Sequence, residues 1–406
     1  MVGQSQDGMN RDQPRHAMRQ RAFLIVTCAI WLIVGVAVSL IVAKDPRERS
    51  VVPVYHEAAA DWVARQPLYS NEKDLNYLPQ FALLFSPFHA LPVPAGDIAW
   101  RWLNISVFVI GIWQLVRRLP PHKSGEYFFW VTLFSIAASL GSIRNGQATP
   151  LLTGLFFIGA DLLMQQRWWM ASVMLVLSLA VKPLGIVLLM LGPLVYRPTL
   201  WRIALLVPLL LLTPFLAAPS EYVSQQMSSF WDDLGHCASV TENRFADLNG
   251  IARNIAGSER GWEIPAQPLR VIGAVAAALT ALCWWLGGRR VDEPLRGYYL
   301  LTLGIGYLLL FNPMTESNGY IMLAPLAATC ALYCMDVSKR QTAGWLMLMI
   351  ALSVGIGGGV MRKVDPEFAL WFKPLMAAAF IVLMSVVLFK REREGFSVSD
   401  GRAFPA

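Results

Sequence analysis

The chain is dominated by apolar stretches that are too long and too hydrophobic for a water-soluble fold. Most of them are close to the ~20 residues that an α-helix needs to cross a bilayer. These stretches are 23–43, 97–116, 126–141, 148–166, 199–217, 268–286, 296–312, 319–336, 342–358 and 368–389. Two shorter ones, 168–181 and 184–195, flank Lys182-Pro183. With 55% hydrophobic and 15% charged residues, the sequence predicts an all-α, polytopic helical membrane protein.

Basic residues predict the orientation, because cytoplasmic connections are enriched in Lys and Arg. They precede the first span and follow the last one, at Arg11, Arg15, Arg19, Arg21, Lys390, Arg391 and Arg393. We therefore expect a cytoplasmic tail at 1–22, one transmembrane domain at 23–389 and a second cytoplasmic tail at 390–406. Two cytoplasmic termini require an even number of crossings, and counting 168–195 as a hairpin gives about twelve.

A single kinked helix over 168–195 is the alternative. It would invert everything that follows and place Arg197 and Arg202 outside, which makes the hairpin the preferred interpretation. The hairpin places two long loops, 44–96 and 218–267, outside the cell membrane. The net charge of +7 then reflects topology, so the sequence predicts the bilayer as a partner and no nucleic acid.

The first outer loop holds two short apolar segments. An Ala-rich one, 54–65, is expected to be a helix that lies on the membrane, with Tyr55, Trp62 and Tyr69 as interfacial anchors. The other, 78–91, is about 14 residues long, which is too short to span and predicts a re-entrant or interfacial helix.

Four polar clusters recur at the predicted outer ends of spans. They are Asp45, Arg144-Asn145-Gly146-Gln147, Lys182 and Asn312-Pro313-Met314-Thr315-Glu316-Ser317-Asn318. Charged groups this close to hydrocarbon are costly unless they are paired or face a wet cavity. Cations beside carboxylates are what phosphate binding and proton abstraction need.

Each cluster also has a purely structural interpretation. Asp45 is well placed to cap a helix, because carboxylates favour helix N-termini. Arg144 could pair with Glu316, and the Lys182 side chain could extend to the interface without any ligand.

Short signatures in a fixed order resemble glycosyltransferase family 87, a polyprenyl-phosphate-sugar-dependent, mannosyltransferase-like family within the GT-C superfamily. The series is Tyr55-x-x-Ala58-Ala59, Pro67-Leu68-Tyr69, Tyr77-x-Pro79, Pro87, Asn145-Gly146-Gln147, Lys182-Pro183 and Asn312-Pro313 before a span with Tyr320. The resemblance covers about residues 20–390. It implies a GT-C-like fold, a catalytic carboxylate in the first outer loop and an inverting transfer on the outer side.

One position departs from the family. The resemblance implies an Asp four residues before the Tyr of Tyr-x-x-Ala-Ala, whereas this chain has Val51. We therefore transfer the role of base to Asp45 by location, with Glu57 as the second candidate.

The predicted reaction moves a hexose or pentose from a polyprenyl-phosphate donor to a hydroxyl of a lipid or glycan acceptor. Arg144 and Lys182 are expected to bind the donor phosphate. Sugar or acceptor contacts are predicted for Tyr55, Tyr77, Asn145, Gln147, Glu316 and Asn318. No Asp-x-Asp pair in the outer loops indicates a metal, so no cofactor is predicted, although a divalent ion stays open. A transporter of lipid-linked glycans and a non-catalytic scaffold are the competing hypotheses.

Overall fold

The structure is a computed structural model that describes residues 6–69, 75–237, 245–252, 266–312 and 314–393. This part of the chain is helical, with short turns and 3-10 segments between the helices. The main helices are α1 Gln6–Lys44, α2 Val52–Ala64, α3 Pro79–His89, α4 Ala95–Val116, α5 Ser124–Asn145, α6 Thr149–Met164, α7 Trp168–Val181, α8 Ile186–Val195, α9 Leu200–Ala217, α10 Ser220–Cys237, α11 Ala266–Gly288, α12 Leu295–Phe311, α13 Leu323–Leu332, α14 Gln341–Val364 and α15 Pro366–Arg393.

Twelve apolar segments of the described chain correspond to the twelve predicted spans. Seven are long and apolar enough to cross a membrane: Ala17–Lys44, Ala95–Val116, Pro121–Asn145, Arg197–Ala217, Gln267–Gly288, Ser317–Val337 and Phe368–Leu388. Five are shorter: Thr149–Met164, Trp168–Val181, Pro183–Val195, Leu295–Phe311 and Gln341–Gly357. The prediction of an all-α polytopic membrane protein is confirmed.

Helices α7 and α8 form the predicted hairpin. The ring of Trp168, at the start of α7, lies 6.1 Å from that of Tyr196, directly after α8. Because the two ends of 168–195 meet, a single kinked helix is excluded. At the tip, Pro183 disfavours helical backbone in the residue before it, and Lys182 is extended with φ −157° and ψ 137°.

Ion pairs join the helices at the end of the bundle opposite Lys182. Arg117 and Arg118 both pair with the buried carboxylate of Asp161, and Lys123 Nζ lies 2.9 Å from Asp336 Oδ2. A carboxylate buried among helices is tolerated when cations compensate it. These contacts connect the ends that the sequence assigns to the cytoplasmic side.

The first outer loop packs inside the protein. In α2 the exposed fractions of Tyr55 and Trp62 are 2% and 3%, so the expectation that these aromatics anchor a surface helix in the interface was wrong. They contribute to packing instead, and Tyr55 contacts the rings of Phe81 and Phe85 in α3. This packing places α2 and α3 beside the helix ends that the sequence predicts to be outer.

Candidate active site

A cavity of about 890 Å³ lies at the end of the bundle that carries the outer clusters. Four parts of the chain that are distant in sequence contribute polar side chains to it. They are the first outer loop with Tyr55, Asn76 and Tyr77, the turn with Gln147 and Thr149, the hairpin tip with Lys182, and the segment with Asn312, Thr315, Glu316, Ser317 and Asn318. Three of the four predicted polar clusters thus contribute to the cavity, whereas Asp45 does not line it.

Lys182 reaches the cavity because the hairpin that carries it is short. Helix α7 has 14 residues, so it rises about 21 Å at 1.5 Å per residue, against about 30 Å of hydrocarbon. Helix α7 is therefore shorter than a full crossing. Gly185 makes the turn compact, since a Cβ there would lie 2.4 Å from the backbone N of Leu179.

A ring from the first outer loop positions the Lys182 ammonium. Lys182 Nζ lies 5.8 Å from the ring centroid of Tyr77, which is a cation–π contact. The Tyr77 hydroxyl lies 2.7 Å from that of Tyr55. Burial raises the pKa of Tyr55 to about 12 and that of Tyr77 well above its usual value, so both phenols remain neutral at physiological pH.

The Asn145-Gly146-Gln147 signature is a helix end that connects three elements. Gly146 has φ 71° and φ > 0 favours glycine, while the Gln147 N–H donates to Ser142 O, as in a Schellman motif. The Asn145 carbonyl accepts the N–H of Val51 at 3.0 Å, and the Gly146 carbonyl accepts the indole N–H of Trp100 at 2.8 Å. The turn thereby holds Gln147 at the cavity.

Glu316 belongs to a segment that is fixed on both sides. The Thr315 N–H donates to Asp247 Oδ2 at 3.2 Å, and the Ser317 carbonyl accepts the Lys373 ammonium at 2.9 Å. The Gln147 amide donates to Glu316 Oε2 at 2.6 Å. Glu316 itself is exposed, so its carboxylate faces the open cavity.

Six of the ten predicted site residues line this cavity: Tyr55, Tyr77, Gln147, Lys182, Glu316 and Asn318. The other four, Asp45, Glu57, Arg144 and Asn145, lie outside its lining. The functional roles assigned to all ten stay predictions, but the structure separates those that share a cavity from those that do not.

The four residues outside the lining occupy structural positions or the surface. Asp45 is exposed, and its Oδ1 accepts the backbone N–H groups of Arg47 and Glu48, which is capping of a turn. Arg144 pairs with Glu48 at 3.0 Å rather than with Glu316. Glu57 is exposed on α2, and Asn145 contributes the carbonyl that Val51 binds.

The sequence did not single out α10, which supplies Phe230, Asp233 and Leu234 to the cavity. A signal was present, because apolar residues at helical spacing mark one face of an amphipathic helix. They are Val223, Met227, Phe230 and Leu234. Asp247, which supports Thr315, was also missed, and its role depends on long-range contacts that spacing does not reveal.

The cavity has an apolar part beside its charged one. It is lined by Leu184, Leu308, Leu309, Met322 and Leu370. Among the described residues no group of three or more His, Cys, Asp or Glu side chains comes together as a metal site would require. The described lining residues offer a ligand one cation, Lys182, together with carboxylates, amides and an apolar surface.

Comparison with known proteins identifies the family. The model of glycosyltransferase family 87 matches residues 76–313. A polyprenol-phosphate-mannose-dependent alpha-(1-2)-phosphatidylinositol mannoside mannosyltransferase from Mycobacterium tuberculosis is 22% identical over 401 residues, covering 88% of each chain. The family match includes Tyr77, Gln147 and Lys182 at the cavity. Because the matched region is more than half of the chain, this protein belongs to glycosyltransferase family 87 and is a membrane glycosyltransferase.

Proposed function

We propose that this chain transfers a mannose-like sugar from a polyprenyl-phosphate donor to an acceptor hydroxyl on the outer face of the cell membrane. The observation that carries this proposal is the cavity itself, which brings Lys182, two carboxylates and apolar side chains together. The basic residues predict that this end of the bundle is the outer one. A polyprenyl-phosphate sugar has the same three chemical parts: an anionic phosphate, a hydroxylated ring and an apolar chain.

The leaving group determines the role of Lys182. As the bond between the anomeric carbon and the phosphate oxygen breaks, negative charge develops on the lipid phosphate. Lys182 is a cation in the cavity lining, and among the described residues it is not ion-paired with Glu316. Its charge therefore remains available to a phosphate.

The polar side chains suit the sugar. Amides from Asn76, Gln147, Asn312 and Asn318 line the cavity and match ring hydroxyls as donors and acceptors. Tyr55 and Tyr77 add aromatic surface beside them. The donor named for the mycobacterial relative is polyprenol-phosphate mannose and its acceptor is a phosphatidylinositol mannoside, which supports a glycolipid acceptor here.

The orientation belongs to the same proposal. With both termini in the cytoplasm, the cavity opens to the outer face, where lipid-linked donors are used without nucleotide sugars. The basic residues at the opposite end of the bundle support this orientation through the positive-inside rule, and we infer the inner or plasma membrane as the location.

Reconstitution tests the donor class. The full chain, in liposomes that contain phosphatidylinositol mannosides, should transfer radiolabelled mannose from a polyprenyl-phosphate donor and give a product of inverted anomeric configuration. The same liposomes supplied with a nucleotide-linked mannose serve as the matched control and should give no product. Transfer from the nucleotide donor, or retention of configuration, would contradict the proposal.

A further inference from the structure

The cavity contains an acid that the family resemblance does not assign. Val51, which stands where the family pattern has an Asp, lines the cavity without supplying a carboxylate. Among the described lining residues, the carboxylates are Glu316 and Asp233. Among the described residues, these two groups are therefore the candidate acceptors for a proton removed inside this cavity.

We propose that Glu316 is the general base that deprotonates the acceptor hydroxyl, an inference that rests on the proposed function. In this step the acceptor O–H bond breaks and its proton moves to the Glu316 carboxylate. The acceptor oxygen forms a bond to the anomeric carbon. The bond from that carbon to the phosphate oxygen breaks, and its electron pair leaves with the lipid phosphate beside Lys182.

The position of the carboxylate suits this role. A general base must be held within hydrogen-bond reach of the proton that it removes. Gln147 holds Oε2, and the backbone on either side of Glu316 is fixed by Asp247 and Lys373. Among the described residues no donor occupies Oε1, which leaves that oxygen for an acceptor hydroxyl.

The separation of charges suits it as well. In an inverting transfer the base and the leaving group lie on opposite sides of the anomeric carbon. Glu316 and Lys182 line one cavity, and their charges are close enough to interact. The two side chains nevertheless form no ion pair with each other in the described part of the chain. The space between them is where a sugar ring would lie.

Asp233, on α10, is the other carboxylate of the described lining. We choose Glu316 over it because of the contacts that hold Glu316. Glu316 is connected by its Gln147 contact to the Asn145-Gly146-Gln147 turn, and by neighbouring contacts to Asp247 and to α15. A base that is held by three parts of the bundle is better positioned in advance of the reaction.

Kinetics with the reconstituted full chain test the assignment. Glu316→Gln keeps the size of the side chain, and we expect kcat to fall by about 10²-fold or more, the usual scale for a general base. The KM for the polyprenyl-phosphate donor should change by less than about threefold. Glu316→Asp should recover part of the lost kcat, because the carboxylate is restored. Glu221→Gln, a matched change at an exposed position on α10, should leave kcat unchanged.

Three outcomes would overturn the proposal. Normal kcat in Glu316→Gln removes the base role while leaving the proposed function intact. A loss of kcat that is confined to Asp233→Asn would identify Asp233 on α10 as the base. A loss confined to Asp45→Asn would identify Asp45, in the turn after α1. Binding of polyprenyl phosphate to the Glu316→Gln protein, measured by tryptophan fluorescence, is the control for folding. If this variant does not bind polyprenyl phosphate, Glu316 has a structural role instead. A wild-type chain that transfers no sugar from any polyprenyl-phosphate donor overturns the proposed function itself.

Discussion

Gln147 and Glu316 are 169 residues apart in the chain, and the amide of one donates to the carboxylate of the other at 2.6 Å. The contact joins two of the sequence signatures through their side chains. It also orients the carboxylate that we propose as the base, so the helix end after α5 supports that carboxylate directly.

Loss of this contact should reduce turnover more than donor binding. Gln147→Leu keeps the approximate volume but removes the donor, and a hydrogen bond to a charged group contributes about 1.5–3 kcal/mol. We expect kcat to fall by about tenfold, with an unchanged KM for the polyprenyl-phosphate donor. A matched change in the same turn, Ser142→Ala, removes a weaker contact to Gln147 at 3.3 Å and should have a smaller effect. Equal effects of both changes would argue against orientation of Glu316.

Lys182 and Arg144 should differ in their effect on the donor. Lys182→Ala should weaken polyprenyl-phosphate binding by about 10- to 100-fold, since a charge-assisted contact of about 1.5–3 kcal/mol is lost. Arg144 pairs with Glu48 outside the cavity lining, and a partly exposed pair contributes about 1 kcal/mol or less. Arg144→Ala should therefore shift the Kd by no more than about fivefold. Titration with polyprenyl phosphate measures the Kd of both variants. A large effect of Arg144→Ala alone would indicate that Arg144, rather than Lys182, binds the phosphate.

The compact hairpin tip should not tolerate a side chain at Gly185. A Cβ would lie 2.4 Å from the backbone of both Ser178 and Leu179, and overpacking of this kind costs about 1–3 kcal/mol. Gly185→Ala should lower the thermal midpoint of the purified protein. Gly273→Ala, in α11, has nothing within 4 Å of the added Cβ, so it should be neutral or slightly stabilising. If both variants melt like the wild type, the turn is looser than the structure shows.

Labelling tests the orientation. In a cysteine-free background, Arg47→Cys and Glu221→Cys should react with a membrane-impermeant thiol reagent added to intact cells. Lys123→Cys and Arg290→Cys should react only after permeabilisation, because the basic ends of the bundle are expected inside. Reaction at 290 but not at 221 in intact cells would show that the second half of the chain has the opposite orientation in the membrane.

Spacing and hydropathy were sufficient to predict the spans and the hairpin, because bilayer thickness determines helix length and Pro183 determines where α7 ends. They also placed Lys182, Gln147 and Glu316 together, since all three follow helix ends on the side that the sequence predicts to be outer. They could not show that Arg144 would pair with Glu48, or that Tyr55 would be buried by α3. Those outcomes depend on helix packing and on which of several nearby partners a side chain reaches, and neither leaves a periodic pattern in the sequence.

The Val51 position should accept a replacement carboxylate. Val51 lines the cavity, and its N–H donates to Asn145 O at 3.0 Å, so its backbone is fixed relative to the turn that carries Gln147. If the cavity requires one carboxylate near the acceptor, Val51→Asp added to Glu316→Gln restores a proton acceptor. The double variant should then have a kcat at least about tenfold higher than that of Glu316→Gln alone.

The matched control is Val54→Asp in the same Glu316→Gln background. Val54 also lines the cavity and is also half-buried, but it lies three residues along α2, where a carboxylate would have a different direction. We expect no recovery from it. Recovery by both variants would indicate a general effect of added negative charge. Recovery by neither, in proteins that still bind polyprenyl phosphate, would show that the wall formed by Val51 does not face the acceptor.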